Sequence, residues 1–561
     1  MKRHLFLIIA LIVSISGFSQ MKTEYYKNKA KKSEGSYENK LKEGKWTYYY
    51  ENGQKNAEGE YSKDQKVGEW LMWYEDGTVM GELNPETGSN VYFYSNGKKQ
   101  KEGNLTDRKK DGKWTEWYET GKVKEISNFK NGIKNGFSQN YYKSGIVNSE
   151  GQFLDSLRDG KWQFFYENTK KNGEGEYAKG EKVGKWTTWF ETGEKMSEFN
   201  PVTGTNVYWF VNGKKQKEGN TLNRKKEGKW TEWFDNGKTK EITFYKEDLR
   251  EGKSQSWFVD GSKEFEGSYK NDKIEGYAFW WRADGKKDME GKSLDGLQDS
   301  IWIFYNKNGS IGSKGLFKVG LQEDKWTYWY ESGPKWKEGD FLNGKKSGNW
   351  ITWYETGEKD HEGPFVNGKE NGLWTSWYKN GQTKDVGTFK DGAMEGKWEG
   401  WYSNGTKKYE TMHQNNMKNG TSNYWYENGK KRYVGGFKDN LKSGGWTEWS
   451  EVGIISESGT YNSDKKIGYW TFYDKYGVKF QDQQFKEDRP EGKWVNYFMN
   501  GQKSGEGAYD NGKKEGTWTY WDEKGNKLYQ VVYKDGKKVK SWKNLEMEKK
   551  NANDKNAPKF D

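Results

Sequence analysis

Residues 372 to 381 read Gly372-Leu-Trp-Thr-Ser-Trp-Tyr-Lys-Asn-Gly381. Nearly the same sentence stands 24 residues earlier as GNWITWYETG from Gly348, and 24 residues later as GKWEGWYSNG from Gly396. A fixed internal period marks a repeat architecture, in which no unit can bury its apolar face alone and neighbours must cover one another. Outward from this stretch, blocks start at Gly44 and recur to Gly516, every step being 24 residues except two of 20, Gly68 to Gly88 and Gly184 to Gly204. The chain thus holds about 22 blocks when the partial ones at either end are included.

Numbered from its first glycine, the block has the consensus G-K-W-T-x-W-Y-E-N-G-x-K-x-x-E-G-x-Y-x-N-G-K-x-E. Two aromatic and Thr-rich runs bounded by Asn-Gly or Thr-Gly read as two β-strands. Helix is disfavoured by the recurrent glycine and by the lack of any 3.6-residue period. Position 9 accepts Thr120, Thr192, Thr356 and Val452. β-branched residues resist positive φ, so the first turn is expected to be a three-residue loop with one left-handed glycine at position 10. Position 7 then pairs with 11, and 6 with 12. The second turn, as in Leu342-Asn-Gly-Lys345, allows the same geometry. The expected fold is all-β, an elongated array of antiparallel hairpins. The two short blocks lose four residues, an even number, so the facing of later side chains need not invert.

Carried straight through the strands, this pairing places positions 6, 16 and 18 on one face and positions 3, 7 and 15 on the other. Position 6 is aromatic in every full block, which makes Trp329, Trp353, Trp377, Trp401 and Trp425 the expected structural ladder. Position 3 can be Asn90, Ser138, Ser254 or Ala278. Its Trp is therefore expected to have surface to spare, which makes Trp302, Trp326, Trp350, Trp374, Trp398, Trp446, Trp470, Trp494 and Trp518 the candidate binding stripe.

Composition agrees with a periodic scaffold. Hydrophobic residues are 31% and aromatic residues 17%, too few aliphatics for several packed cores, yet 32 Trp and 71 periodic Gly oppose disorder. The absence of Cys excludes disulfides, thiolate metal sites and Cys nucleophiles. A net charge of +12 mildly favours an acidic partner.

The first residues are a different text. Lys2 and Arg3 precede the apolar run Leu5–Val13, followed by small residues at Gly17 and Ser19, the pattern of a secretory signal peptide cut near Gln20. The expected organisation is a signal peptide over 1–19, a repeat array over 20–543 and a charged tail over 544–561. The mature chain is expected in the periplasm, on the outer surface or outside the cell.

Glu338–Gly348 (EGDFLNGKKSG) and Glu506–Gly516 (EGAYDNGKKEG) resemble the Y-x-G-x-W-x-x-G-x-x-x-G half of MORN repeats. The 24-residue block, with Trp near its second glycine, is similar to the bacterial MORN-repeat-variant proteins, often labelled YwqK-family antitoxins. The resemblance implies a β-hairpin array that serves as a scaffold, a protein-binding surface or a phospholipid binder. Lys45–Gly53 (KWTYYYENG) and Trp326–Gly333 (WTYWYESG) also resemble the Trp-Tyr-rich repeats of choline- and glucan-binding cell-wall proteins, which build aromatic cages between hairpins.

Little in the sequence suggests catalysis. His361 and His413 fall in separate blocks, at positions 14 and 18, and His413 stands where other blocks carry Tyr or Phe. Each Glu recurs in equivalent surroundings, whereas acid–base pairs need carboxylates in unlike environments. No oxygen-rich cation loop or phosphate loop is present. The expectation is a non-enzymatic binding array with no cofactor or metal. Its partner is expected to be a protein or envelope component, the alternatives being a glycan or choline-like ligand or an anionic lipid surface. Nucleic acid is the weaker class, given export.

Overall fold

The computed structural model describes residues 19–543. The expected signal peptide (but for residue 19) and the tail from 544 lie outside the described residues. Among those described there are 47 strands and no helix. The chain divides into two compact units, one up to Lys273 and one from Ile274 onward. Within each unit, strands that follow one another in the chain pair antiparallel, as expected of a hairpin array.

Both turns of the block are visible in unit 2. At the first, the Tyr378 N–H donates to the Gln382 carbonyl at 2.8 Å and the Gly381 N–H donates to the Tyr378 carbonyl at 2.9 Å. Gly381 sits at φ +80. This is the three-residue loop with one left-handed glycine that the β-branched residues at position 9 required. The second turn differs from expectation. Asn343 (φ 51) and Gly344 (φ 75) are both left-handed, and Leu342 pairs directly with Lys345. That is a two-residue type I′ turn, which suits the Asn and Asp common at its first place, since their short polar side chains tolerate left-handed backbone.

The pairing of position 6 with 12 holds: Trp377 faces Thr383 in unit 2, and Tyr49 faces Lys55 in unit 1. One step further the register slips. Ser376 faces Asp385 and Trp374 faces Gly387, so residue 384, at position 13, is an extra residue on the second strand. Unit 1 slips alike, with Tyr48 opposite Ala57 and Trp46 opposite Gly59. A one-residue bulge inverts the facing of everything beyond it. The expected grouping is therefore corrected. Positions 3, 5, 14, 16 and 18 share one face, and positions 2, 4, 6, 12, 15 and 17 share the other. A second irregularity leaves this grouping intact. Between blocks, Gly387 faces Trp398 and Thr388 faces Glu395, which inserts two residues, an even number.

The short blocks keep the same facing, as the loss of four residues allows. Gly81 faces Tyr92 as His361 faces Ser376. The connection Asn84–Thr87 is stitched by Asn90, whose Oδ1 accepts from the Asn84 N–H and whose Nδ2 donates to the Asn84 carbonyl, both at 2.9 Å. Asn206 accepts from the Asn200 N–H at 2.7 Å. Asn at position 3 thus serves the shortened loop.

Candidate binding surface

The face that carries position 3 is closed. Of the expected binding stripe, Trp302, Trp326, Trp350, Trp398, Trp446, Trp470 and Trp518 are all at most 7% exposed. Trp374 and Trp494 are partly buried. Each ring but that of Trp494 lies over the position-16 glycine of the preceding strand. A Cβ built on Gly339 would stand 2.4 Å from the Trp350 ring, and one on Gly363 would stand 2.3 Å from Trp374. In most of these blocks the indole N–H donates to the next backbone carbonyl along, as from Trp350 Nε1 to Asp340 at 3.0 Å, whereas the buried Trp446 Nε1 meets no partner.

The position-18 rings complete a herringbone. Phe341 meets Trp350 edge-on at 5.1 Å, Phe365 meets Trp374 at 5.2 Å, and Phe389 meets Trp398 at 4.9 Å. Such pairs add about 0.5–1.5 kcal/mol each beyond the area they bury. Where position 23 is Lys it roofs the ring, as Lys346 does 4.4 Å above Trp350 and Lys466 4.1 Å above Trp470. Burial holds the Lys346 ammonium below its usual pKa, and Lys66 and Lys110 are displaced in the same direction by the same cause. The two histidines of the described residues belong to this face. His361 stacks on Trp374 at 5.9 Å, and His413 meets Trp398 edge-on at 6.4 Å, as Phe365 meets Trp350.

The Ser residues at position 3 have a structural cause that the expected reading missed. Where position 16 carries a side chain, the facing Trp is absent. Ser127 faces Ser138 and Thr243 faces Ser254, each pair with hydroxyl oxygens 2.7 Å apart, and Thr411 faces Ser422. At Ser138, Ser254 and Ser422, tolerance at position 3 therefore reports what stands at position 16 of the preceding block, not spare surface; Ala278, fully buried although Gly267 precedes it, has no such explanation. The pairing was legible in the sequence as a Gly–Trp match between adjacent blocks. Gln483 is an exception that fits the steric account. The Trp494 ring opposite it is only partly buried, and its N–H turns to Asn496 Oδ1 at 3.2 Å.

The face that carries position 6 is the open one. Trp329, Trp353, Trp377, Trp401 and Trp425, the expected buried ladder, are partly exposed. Where position 12 is Lys and position 15 is Glu, the lysine joins that glutamate and reaches over the position-6 ring of the next block. Lys335 Nζ is 2.8 Å from Glu338 and 5.7 Å above Trp353, and Lys359 is 2.7 Å from Glu362 and 5.5 Å above Trp377. In unit 1, Lys55 joins Glu58 at 2.7 Å and lies 5.7 Å from Trp73. Exposed ion pairs stabilise little, but their repetition orders a regular surface of rings, ammonium groups and carboxylates.

A tyrosine rung ties successive turns beside this face. The hydroxyls of Tyr354 and Tyr378 donate to the carbonyls of Trp377 and Trp401, both at 2.9 Å. Arg282 takes over where Tyr is missing and donates to the carbonyls of Asn306, at 2.6 Å, and Tyr305. Among the described residues, no group of three or more His, Asp or Glu side chains is placed to hold a metal ion. No helix among them is long and apolar enough to cross a membrane.

No curated protein sequence matches this chain. Among solved structures, a Photorhabdus luminescens Tc holotoxin pore aligns at 10% identity with a TM-score of 0.13, over 95% of this chain and 34% of that one. A TcdB2–TccC3 structure aligns at 11% identity and 0.13, over 92% and 31%. This chain thus spans about a third of either structure's length, and at such scores the likeness carries no argument. The family model described as MORN repeat variant matches residues 42–63, 66–84, 110–131, 226–247, 370–391, 394–415 and 514–535. Each match begins two residues after a type I′ turn and takes in the position-3 Trp, the first turn and the returning strand, and the chain accordingly carries repeats of the MORN-repeat-variant kind at these seven places.

Proposed function

We propose that this chain is a non-enzymatic, exported repeat scaffold that binds a protein or envelope component along its open face. The observation that supports this reading most directly is the recurrence of one unit on that face, in the blocks that carry Lys at position 12 and Glu at position 15: a partly exposed ring, a lysine and a glutamate held in register, as in Lys335, Glu338 and Trp353. A surface that repeats in this way offers many equivalent contacts, each weak, whose sum is large. Export rests on Lys2, Arg3 and the Leu5–Val13 run.

The test is capture from envelope extract by the immobilised mature chain, compared with a variant carrying Trp353→Ser, Trp377→Ser and Trp401→Ser. Species retained by the wild type and lost by the variant support the reading. Equal retention by both refutes it. Retention abolished by soluble choline or glucan would favour the aromatic-cage alternative, and retention of lipid alone would favour an anionic surface. Amino-terminal sequencing of the native protein should begin near Gln20; a chain found in the cytosol and still beginning at Met1 would end the export argument.

A further inference from the structure

The blocks that begin at Gly276 and Ser300 break the open-face pattern. Elsewhere, positions 2 and 4 are never both apolar within one block. Here the strand Gly276–Trp281 presents Tyr277, Phe279 and Trp281, and the strand Leu297–Tyr305 presents Ile301, Ile303 and Tyr305. The strand Lys287–Leu294 lies between them, with Glu290 opposite both Phe279 and Ile303. On the far side, Ile301 faces Leu316 and Ile303 faces Lys314. Tyr277 is 65% exposed and Ile301 51%. Exposed apolar clusters on an otherwise polar surface mark interaction sites.

The charges around this cluster are unbalanced. Glu290 is held by Lys287 at 2.5 Å and by the Tyr305 hydroxyl at 2.6 Å. Asp288 is held by Arg282 at 2.9 Å, and Asp299 accepts from the Ser300 hydroxyl at 2.9 Å. Lys314 occupies position 15, where most blocks carry a carboxylate, and Ile311 replaces the usual lysine at position 12. Lys292, opposite Tyr277, also meets no carboxylate within ion-pair distance, and neither does Lys314. Asp299 stands opposite Lys292 in the strand register but forms no ion pair with it, so two ammonium groups beside an apolar centre are without a carboxylate at ion-pair distance.

We propose that this face of unit 2 docks an acidic segment of a partner protein, whose apolar side chains cover Tyr277, Phe279, Ile301 and Ile303 and whose carboxylates pair with Lys292 and Lys314. The proposal rests on the binding-scaffold reading above and gives it a place and a partner chemistry. A protein segment fits better than an anionic bilayer. A continuous plane of negative charge would also meet Glu290 and Asp299, whereas a peptide can set its carboxylates at Lys292 and Lys314 and its apolar groups between them.

The repeat itself supplies variants that should keep the fold. Ile301→Lys with Ile303→Thr restores what the next block carries as Lys325 and Thr327, and Lys314→Glu restores the usual residue at position 15. The probe is a synthetic peptide in which Glu alternates with Leu and Phe, added to the mature chain and followed by hydrogen exchange and by titration. Protection should concentrate in residues 276–318. The double variant should bind at least about tenfold more weakly. Lys314→Glu should weaken binding at low salt more than at high salt. Undiminished binding by the double variant would overturn the proposal, as would protection absent from 276–318 or spread evenly over all blocks. So would stronger protection of 276–318 by phosphatidylglycerol vesicles than by the peptide. Peptide protection of other open-face blocks would sink this assignment and leave the broader scaffold reading standing, whereas loss of envelope capture in the position-6 variant bears on that reading alone.

Discussion

Gly339 and Trp350 should behave as one unit, and a double-mutant cycle measures this. Trp350 is 3% exposed and has Phe341 and Phe365 edge-on at 5.1 and 6.1 Å, with Lys346 above. Trp350→Ser empties that site and should cost about 3–5 kcal/mol. Gly339→Thr places a Cβ 2.4 Å from the ring, about 1 Å inside ordinary contact, so the indole must leave its seat. The cost should then be near the top of the overpacking range, roughly 3 kcal/mol. Additivity would predict a loss of about 6–8 kcal/mol for the pair. The double variant instead recreates the Thr243–Ser254 arrangement. With the ring gone the threonine has room, and the loss should be about 3–5 kcal/mol, a coupling of roughly 3 kcal/mol. Hydrogen exchange across blocks 348–372, read as local opening free energy, is the appropriate assay, because a repeat array loses stability near the lesion. Single losses that add within about 0.5 kcal/mol would refute the steric account of the position-16 glycine.

On the open face, Trp353→Ser should cost about 1 kcal/mol, well below Trp350→Ser, because its ring is only partly covered; equal losses in exchange protection would contradict the corrected faces. Tyr354→Phe removes the hydroxyl that donates to the Trp377 carbonyl at 2.9 Å and should cost about 0.5–1.5 kcal/mol. Phe190 and Phe234 occupy the same position elsewhere, so circular dichroism should be unchanged; a gross loss of strand signal would refute the assignment of that residue as a rung. Glu58 and Glu506 are held below their usual carboxylate pKa first by hydrogen bonds from Lys55 and Lys503. A depressed carboxylate stabilises the fold above its ordinary pKa and loses that contribution as pH falls through its lowered value. The melting temperature should therefore drop as pH falls from about 5 toward 3, and a flat profile over that range would show that the lysine–glutamate pairs contribute nothing.

The amino-acid sequence by itself determined the period, the two strands of each block, the glycine loop at position 10 and the pairing of position 6 with 12, because each is set by residues adjacent in the chain. It also contained the match between Gly363 and Trp374, and between Thr243 and Ser254, although only the ring lying over its neighbour shows why those residues vary together. The tertiary structure decided which aromatic row is buried. A bulge at position 13 has no strong sequence mark, yet one extra residue exchanges the faces beyond it, so that Trp350 is covered and Trp353 faces outward. The place of Lys314 beside Ile303, and the lack of a carboxylate within ion-pair distance of its ammonium group, likewise follow only from how neighbouring strands are aligned, because unlike strand propensity this is not a property of any single stretch of sequence.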